Sequence, residues 1–384
     1  MKYMITLIIL ISFQTELFSQ WNQITAYGGG ATYGAFSFVI NGTAYVGGGA
    51  SSQNFYQFDP ANNKWIQKAN FGGSGRDWPF AFTINGKGYV GGGDPTGQFT
   101  TLLNDFWEYN PATDIWTKKG DFPGAARDVP FTFVINGIAY VGGGFGANMT
   151  DLSDCWQYDS STDSWTQIVN YPFACADPTA FVINNVAYIS GGGYKNCYKF
   201  DPATKVFSAI ADFPGDLRGP GLTLSVNGKG YVGLGENASF TTTYTDIWEY
   251  DPMKDQWKQR TDMIYPNTFS AFTTAFALDS DIYVGTGVNF ASNQMTNQFY
   301  KFTLGSTLSS VEDVFPNEFN IYPNPAEDYL YVNTSEGQEI FIFNSEGNIV
   351  IETKYSGKID IKGLENGIYF IRIDGKVNKF LVCR

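Results

Sequence analysis

The chain has 384 residues, of which 43 are glycine and 17% aromatic, with a formal net charge of -13 and no histidine. That aromatic content excludes a disordered chain, and the acidic balance excludes a nucleic-acid surface, which needs clustered Lys and Arg. Without imidazole, His-based catalytic triads and most zinc sites are excluded too.

Residues 1–19 read as a secretory signal: Lys2, an apolar core from Met4 to Phe13, then Leu17-Phe18-Ser19 before an expected cleavage at Gln20. The apolar run is too short to span a bilayer. No cysteine lies near the cleavage point, so no lipid anchor is expected, and no later segment reads as a membrane helix. Export permits disulfides. Cys383 falls in a separate terminal segment, which leaves Cys155, Cys175 and Cys197 with at most one bridge, Cys175 being one partner if it forms.

From Phe38 onward one pattern returns six times: "FVINGTAYVGGG" at Phe38, "FTINGKGYVGGG" at Phe82, "FVINGIAYVGGG" at Phe133, "FVINNVAYISGGG" at Phe181, "LSVNGKGYVGLG" at Leu224 and "FALDSDIYVGTG" at Phe276. Its turn residues Asn41, Asn85, Asn136, Asn184, Asn227 and Asp279 stand 44, 51, 48, 43 and 52 residues apart. Each copy predicts a hairpin whose Asn-Gly pair makes a tight turn with positive φ. Two further strands follow, as in "DFWEYNPATDIW" from Asp105, joined by an Asn-Pro or Asp-Pro turn. Gly86, Gly88 and Gly91 match a dinucleotide fingerprint, but that site needs a strand followed by a helix, whereas here strand follows strand. Four strands per repeat of this length predict a propeller blade.

In five copies an outer aromatic stands nine residues after an inner one, from Tyr56 to Trp65 through Trp248 to Trp257; in the sixth, Tyr300 leads only to Ser309. "QWNQI" at the expected mature N-terminus resembles "SWTQI" of the third copy, so Trp21 is predicted to supply the missing outer strand and latch the ring. The glycine runs (Gly47 to Gly49, Gly91 to Gly93, Gly142 to Gly144, Gly191 to Gly193), with the spaced Tyr and Trp after them, resemble the kelch family over about residues 21–303. The resemblance implies a six-bladed β-propeller and no single function.

After Phe302 the repeat stops. Residues 304–317 read as a linker, and the short alternating strands of 318–384 as a small antiparallel sandwich. Tyr322-Pro323-Asn324-Pro325, the turn at Gly347, Gly367-Ile368-Tyr369 and Lys379-Phe380 resemble the type A C-terminal sorting domain of the type IX secretion system of Gram-negative bacteria; the terminal "VCR" departs from that pattern. The resemblance implies engagement of the secretion machinery, then release from or attachment to the cell surface. The expected organisation is all-β: signal peptide 1–19, kelch propeller 20–303, linker, and sandwich 318–384.

In a propeller the loops between blades and those joining strands two and three share one face around the central channel. Nine positions before each turn residue stand Thr32, Arg76, Arg127, Cys175, Arg218 and Ser270, placing three arginines and Cys175 at the channel rim. Two uses fit an arginine there: tying neighbouring blades through carboxylates, or gripping an acidic ligand. Asp77 and Asp128 follow directly, Trp78 offers a ring for a sugar face, and Glu236 follows a glycine run on this face. Long loops after Gly93, Gly144, Gly235 and Gly287 are rich in Asn, Gln, Thr and aromatics, a set suited to recognition. The candidate ligand residues are therefore Arg76, Asp77, Trp78, Arg127, Asp128, Arg218 and Glu236. The leading expectation is a secreted or cell-surface monomer binding a glycan or protein, with no metal, cofactor, nucleic acid or transmembrane segment. The alternative is an enzyme resembling the kelch-type N-acetylneuraminate epimerases, with Glu236 moving protons and an arginine holding the sugar carboxylate. A copper oxidase of the galactose oxidase type is excluded by the missing histidines.

Overall fold

The structure, a computed structural model, describes residues 21–304, 321–332, 334–344, 349–373 and 376–383. The segment read as a signal peptide, the linker apart from Leu304, and the turn at Gly347 lie outside the described residues. The chain divides into two compact units, 1–304 and 305–384.

The first unit holds six four-stranded antiparallel sheets, one per repeat copy. Blade one runs Phe36–Ile40, Thr43–Gly47, Phe55–Asp59 and Lys64–Gln67 from inside to outside, and the later blades repeat that order. Each innermost strand meets the next around the ring, and the sixth, Thr274–Leu278, meets the first. This is a closed six-bladed propeller. The sixth blade takes its fourth strand from Trp21–Ile24, with Trp21 opposite Phe302 and Gln23 opposite Tyr300.

Two local requirements explain the glycine-rich signature. Asn41 and Gly42 both adopt positive φ (49° and 76°), as do the equivalent pairs in the next four copies, whereas the sixth turn shows it at Asp279 alone. Blades stack large against small: Phe36, Phe38 and Phe55 of blade one share a cluster with Val90 and Tyr109 of blade two. A Cβ on Gly88 would overlap the Phe38 ring. The apparent fingerprint glycines therefore serve a turn and a close approach between sheets.

The second unit has a three-stranded sheet, in the order Ile321–Tyr322, Tyr329–Val332, Ile359–Asp360, and a four-stranded one, in the order Ile349–Lys354, Glu339–Phe343, Gly367–Ile373, Lys376–Val382. Leu330, Ile340, Ile342, Ile359, Ile371 and Phe380 belong to one shared core, the arrangement of a small sandwich.

Candidate functional site: the loop-side mouth of the channel

Of the two uses open to the three arginines, the structure shows each paired with a carboxylate, within its own blade rather than between blades. Arg76 and Arg127 are fully buried and Arg218 nearly so. Arg76 Nε donates to the Ser74 carbonyl (2.9 Å), Nη1 to the Gly92 carbonyl (2.8 Å) and Nη2 to Asp105 Oδ2 (2.9 Å), which also accepts from Trp107 Nε1 (2.7 Å). Its guanidinium lies over the Phe71 ring at 4.7 Å. Arg127 repeats this with Ala125, Gly143, Asp154, Trp156 and Phe122, and Arg218 with Asp216, Leu234, Asp246, Trp248 and Phe213. Each arginine thus staples its incoming loop to the third strand of its own blade. A guanidinium engaged on that many sides and sealed from solvent is not poised to grip a ligand carboxylate.

Two residues beyond each arginine slot stand Gly34, Trp78, Val129, Asp177, Pro220 and Phe272. Backbone hydrogen bonds join these positions from blade to blade: Phe272 N donates to Pro220 O (2.9 Å), Gly34 N to Phe272 O (3.0 Å), Trp78 N to Gly34 O (2.8 Å) and Val129 N to Trp78 O (3.0 Å). The belt holds Trp78, Val129 and Phe272 at φ of 52°, 44° and 50°, strain that bulky residues rarely accept outside functional regions. Pro220 has no N–H, so the belt cannot continue to it from Asp177. No such bond joins Asp177 N to Val129 O either, so the gap runs from Val129 past Asp177 to Pro220, from blade three to blade five.

Carboxylates flank the gap. Asp128 is fully buried, and neither of its carboxyl oxygens has a hydrogen-bond partner; Glu236 is 2% exposed and its Oε2 is likewise unpartnered. Burial, with the charges of Asp177, Asp94 and Asp77 added, pushes Asp128 up to about 8. Burial and then Asp177 push Glu236 up to about 9. Asp177, half-buried, is raised to about 7 by desolvation and then Asp151. Asp77 is raised to about 6 chiefly by burial, although Ser51 N donates to its Oδ1 at 2.7 Å. Asp94 exchanges backbone hydrogen bonds with Asp77 (2.8 and 2.9 Å) and folds its own loop by accepting from Thr96 N and Oγ1 (both 2.8 Å). Among the described residues none of these five acids is in an ion pair.

Aromatic rings complete the mouth. Trp78 is 9% exposed because Phe99, from the long loop of blade two, stacks flat on it at 5.0 Å and 9°. Trp78 therefore presents no open face for a sugar; half-buried Phe99 covers it. From Trp78 the contacts run to Phe272 (5.1 Å), Phe290 (5.9 Å from Phe272) and Phe240 (4.9 Å from Phe290), the last half exposed. Below, the channel is lined by small residues such as Ser37, Thr132, Ala180, Thr223 and Ala275 around a space of about 210 Å³.

Cys175 takes the arginine slot of blade four but is fully buried rather than at an open rim, and its thiol is free, as are those of Cys155, Cys197 and Cys383. Sequence reasoning missed Asp94 and Asp177. Asp94 follows Gly93 just as Glu236 follows Gly235, and Asp177 belongs to blade four, which passes from Gly193 to Tyr194 with no long loop.

With this geometry in place, comparison with known proteins defines the class. The KLHDC2/KLHL20/DRC7 Kelch-repeats domain matches residues 8–193, and the secretion system C-terminal sorting domain matches residues 320–382. The chain thus carries kelch repeats and a secretion-system C-terminal sorting domain, which indicates export by the type IX system to the cell surface or the extracellular space. It is 27% identical over 157 residues, 39% of its length, to the N-acetylneuraminate epimerase of Salmonella typhi, and 26% identical over 159 residues to that of Salmonella typhimurium. It spans only 38% of those relatives' own length. It is also 35% identical over 79 residues, 19% of its length and 15% of the relative's, to β-agarase A of Zobellia galactanivorans. The solved structure of YjhT aligns with a TM-score of 0.64 and 18% identity, covering 74% of this chain and 98% of that one, which supports the propeller fold.

Proposed function

We propose that the propeller is a binding module that takes a glycan at the loop-side mouth of its channel, and that residues 20–303 are its mature binding unit. The observation that carries this reading is the pairing, at one mouth, of an aromatic cluster with buried carboxyl groups that lack protein partners. Aromatic rings cover the apolar face of a sugar, and carboxyl groups hydrogen-bond its hydroxyls; few other ligands match both. A glycan array with the mature chain tests it. Phe99→Ala and Phe240→Ala are each expected to weaken binding roughly tenfold, as loss of an aromatic anchor does. Absence of any glycan ligand would contradict the reading.

A second reading has its own support. Glu236 is buried, unpartnered and held protonated near neutrality, as a general acid must be, and stretches of the chain resemble N-acetylneuraminate epimerases. Under it Glu236 exchanges a proton at the ring oxygen or anomeric hydroxyl. The arginines do not supply the carboxylate grip first expected, so the sugar would be neutral or basic. An NMR anomer-exchange assay on such sugars is expected to show catalysis abolished by Glu236→Gln; exchange no faster than buffer dismisses an enzyme.

A further inference from the structure

We infer that the chemical group recognised at the gap in the belt is a protonated primary amine carried on a sugar, an inference that rests on the glycan reading above. Asp128, Asp177 and Glu236 come from three successive blades, and Asp77 and Asp94 add their charge to Asp128 from a fourth. The arginines able to neutralise them are bound to Asp105, Asp154 and Asp246 instead. Asp128 and Glu236 are more than nine-tenths buried and carry three partnerless oxygens, both of Asp128 and Oε2 of Glu236, and each feels the charge of Asp177. Buried carboxyls are ordinarily paired or hydrogen-bonded, so a site left in this state awaits a cation or donor from outside.

The spacing selects the kind of cation. Among the described residues no three acids or cysteines converge closely enough to hold a metal ion, and a divalent cation demands several oxygens at 2.3–2.6 Å or less. An ammonium is larger, carries three divergent donors and bridges acids that stand further apart. It also arrives with a sugar ring for the neighbouring Phe99 and Phe290. Blade four passes through a tight turn from Gly193 to Tyr194 where blades two, three, five and six carry long loops, and Asp177, half-buried, belongs to that blade. An acidic sugar would add negative charge to five acids that have no ion-pair partner among the described residues, and the site disfavours it.

Isothermal titration of the full mature chain tests this with three probes: a fully deacetylated glucosamine pentamer, its N-acetylated counterpart and a lysine pentapeptide. The amino pentamer is expected to bind roughly tenfold or more tightly than the acetylated one, a difference that Asp128→Asn collapses. Asp177→Asn and Glu236→Gln repeat the measurement in case Asp128→Asn does not fold, folding being followed by thermal melting. Equal affinity for the two pentamers would overturn the amine while leaving the glycan reading intact; no binding of either would overturn both. A preference surviving in every folded variant, or tighter binding of the lysine peptide, would overturn the assignment to an amino sugar at this site.

Discussion

Arg127→Ala is expected to destabilise the propeller by on the order of 3–5 kcal/mol, the cost of breaking a buried ion pair from one side, and to lower its melting temperature by roughly 10 °C. Arg127 is fully buried, and its removal strands the Asp154 carboxylate, the Gly143 carbonyl and the open face of the Phe122 ring together. Burial alone would raise the Asp154 pKa, but the hydrogen bond and charge of Arg127 outweigh it and hold the group below its ordinary value. A depressed folded pKa contributes stability above the unfolded value, about 4, and that contribution is lost as pH falls through the folded value. The gap between wild type and variant should therefore be full at pH 7 and narrow steadily below pH 4. Glycan affinity per folded molecule is expected to hold. Thermal melts with binding measured on the same samples check both; unchanged stability with lost binding would restore Arg127 as a ligand residue.

Trp21→Ala is expected to cost a similar 3–5 kcal/mol, as truncation of a buried tryptophan does. The indole is 7% exposed, donates Nε1–H to the Met263 carbonyl at 3.1 Å, and packs at 5.2 Å on both Tyr265 and Phe302. Deleting residues 21–24 goes further, because it strips the partner strand from Phe299–Thr303 and exposes an edge of unpaired backbone groups. Such edges recruit other strands, so the deletion variant is expected to associate in a concentration-dependent way. Denaturant titration and light scattering read the two effects. A deletion variant that stays monomeric and melts like wild type would refute the latch.

Much of the propeller was legible because its rules repeat. Asn-Gly turns, alternating inner strands and spaced aromatics each recur at one register, and the absent aromatic after Tyr300 pointed to Trp21 for closure. The arginine role was legible too, in a signal that went unread. Copies with Arg76, Arg127 and Arg218 also carry Asp105, Asp154 and Asp246, then Trp107, Trp156 and Trp248, and Phe71, Phe122 and Phe213 five residues upstream. Copies with Thr32, Cys175 and Ser270 instead carry Asn54, Asn196 and Gln298, then Tyr56, Tyr198 and Tyr300, with Tyr27, Tyr171 and Tyr265 upstream. Four positions changing together across six copies mark a packing unit rather than a ligand contact.

The mouth was less legible because its chemistry comes from departures rather than repeats. Pro220 matters only because the equivalent residues Gly34, Trp78, Val129 and Phe272 donate a hydrogen bond it cannot make. Asp177 gains meaning from a loop that blade four lacks. Neither consequence follows from spacing, since each depends on which blades end up adjacent around the ring. Trp78 looked like an open stacking platform for the same reason: nothing in its own segment announces that Phe99 will cover it.

A crystal structure of the mature chain with the tightest-binding glycan decides where the ligand sits. The predicted result is sugar at the loop-side mouth, within hydrogen-bond reach of Asp128, Asp177 or Glu236 and against Phe99. Sugar bound instead at the opposite face, beside the Asn41, Asn85 and Asn136 turns, or on the outer strands, would contradict it.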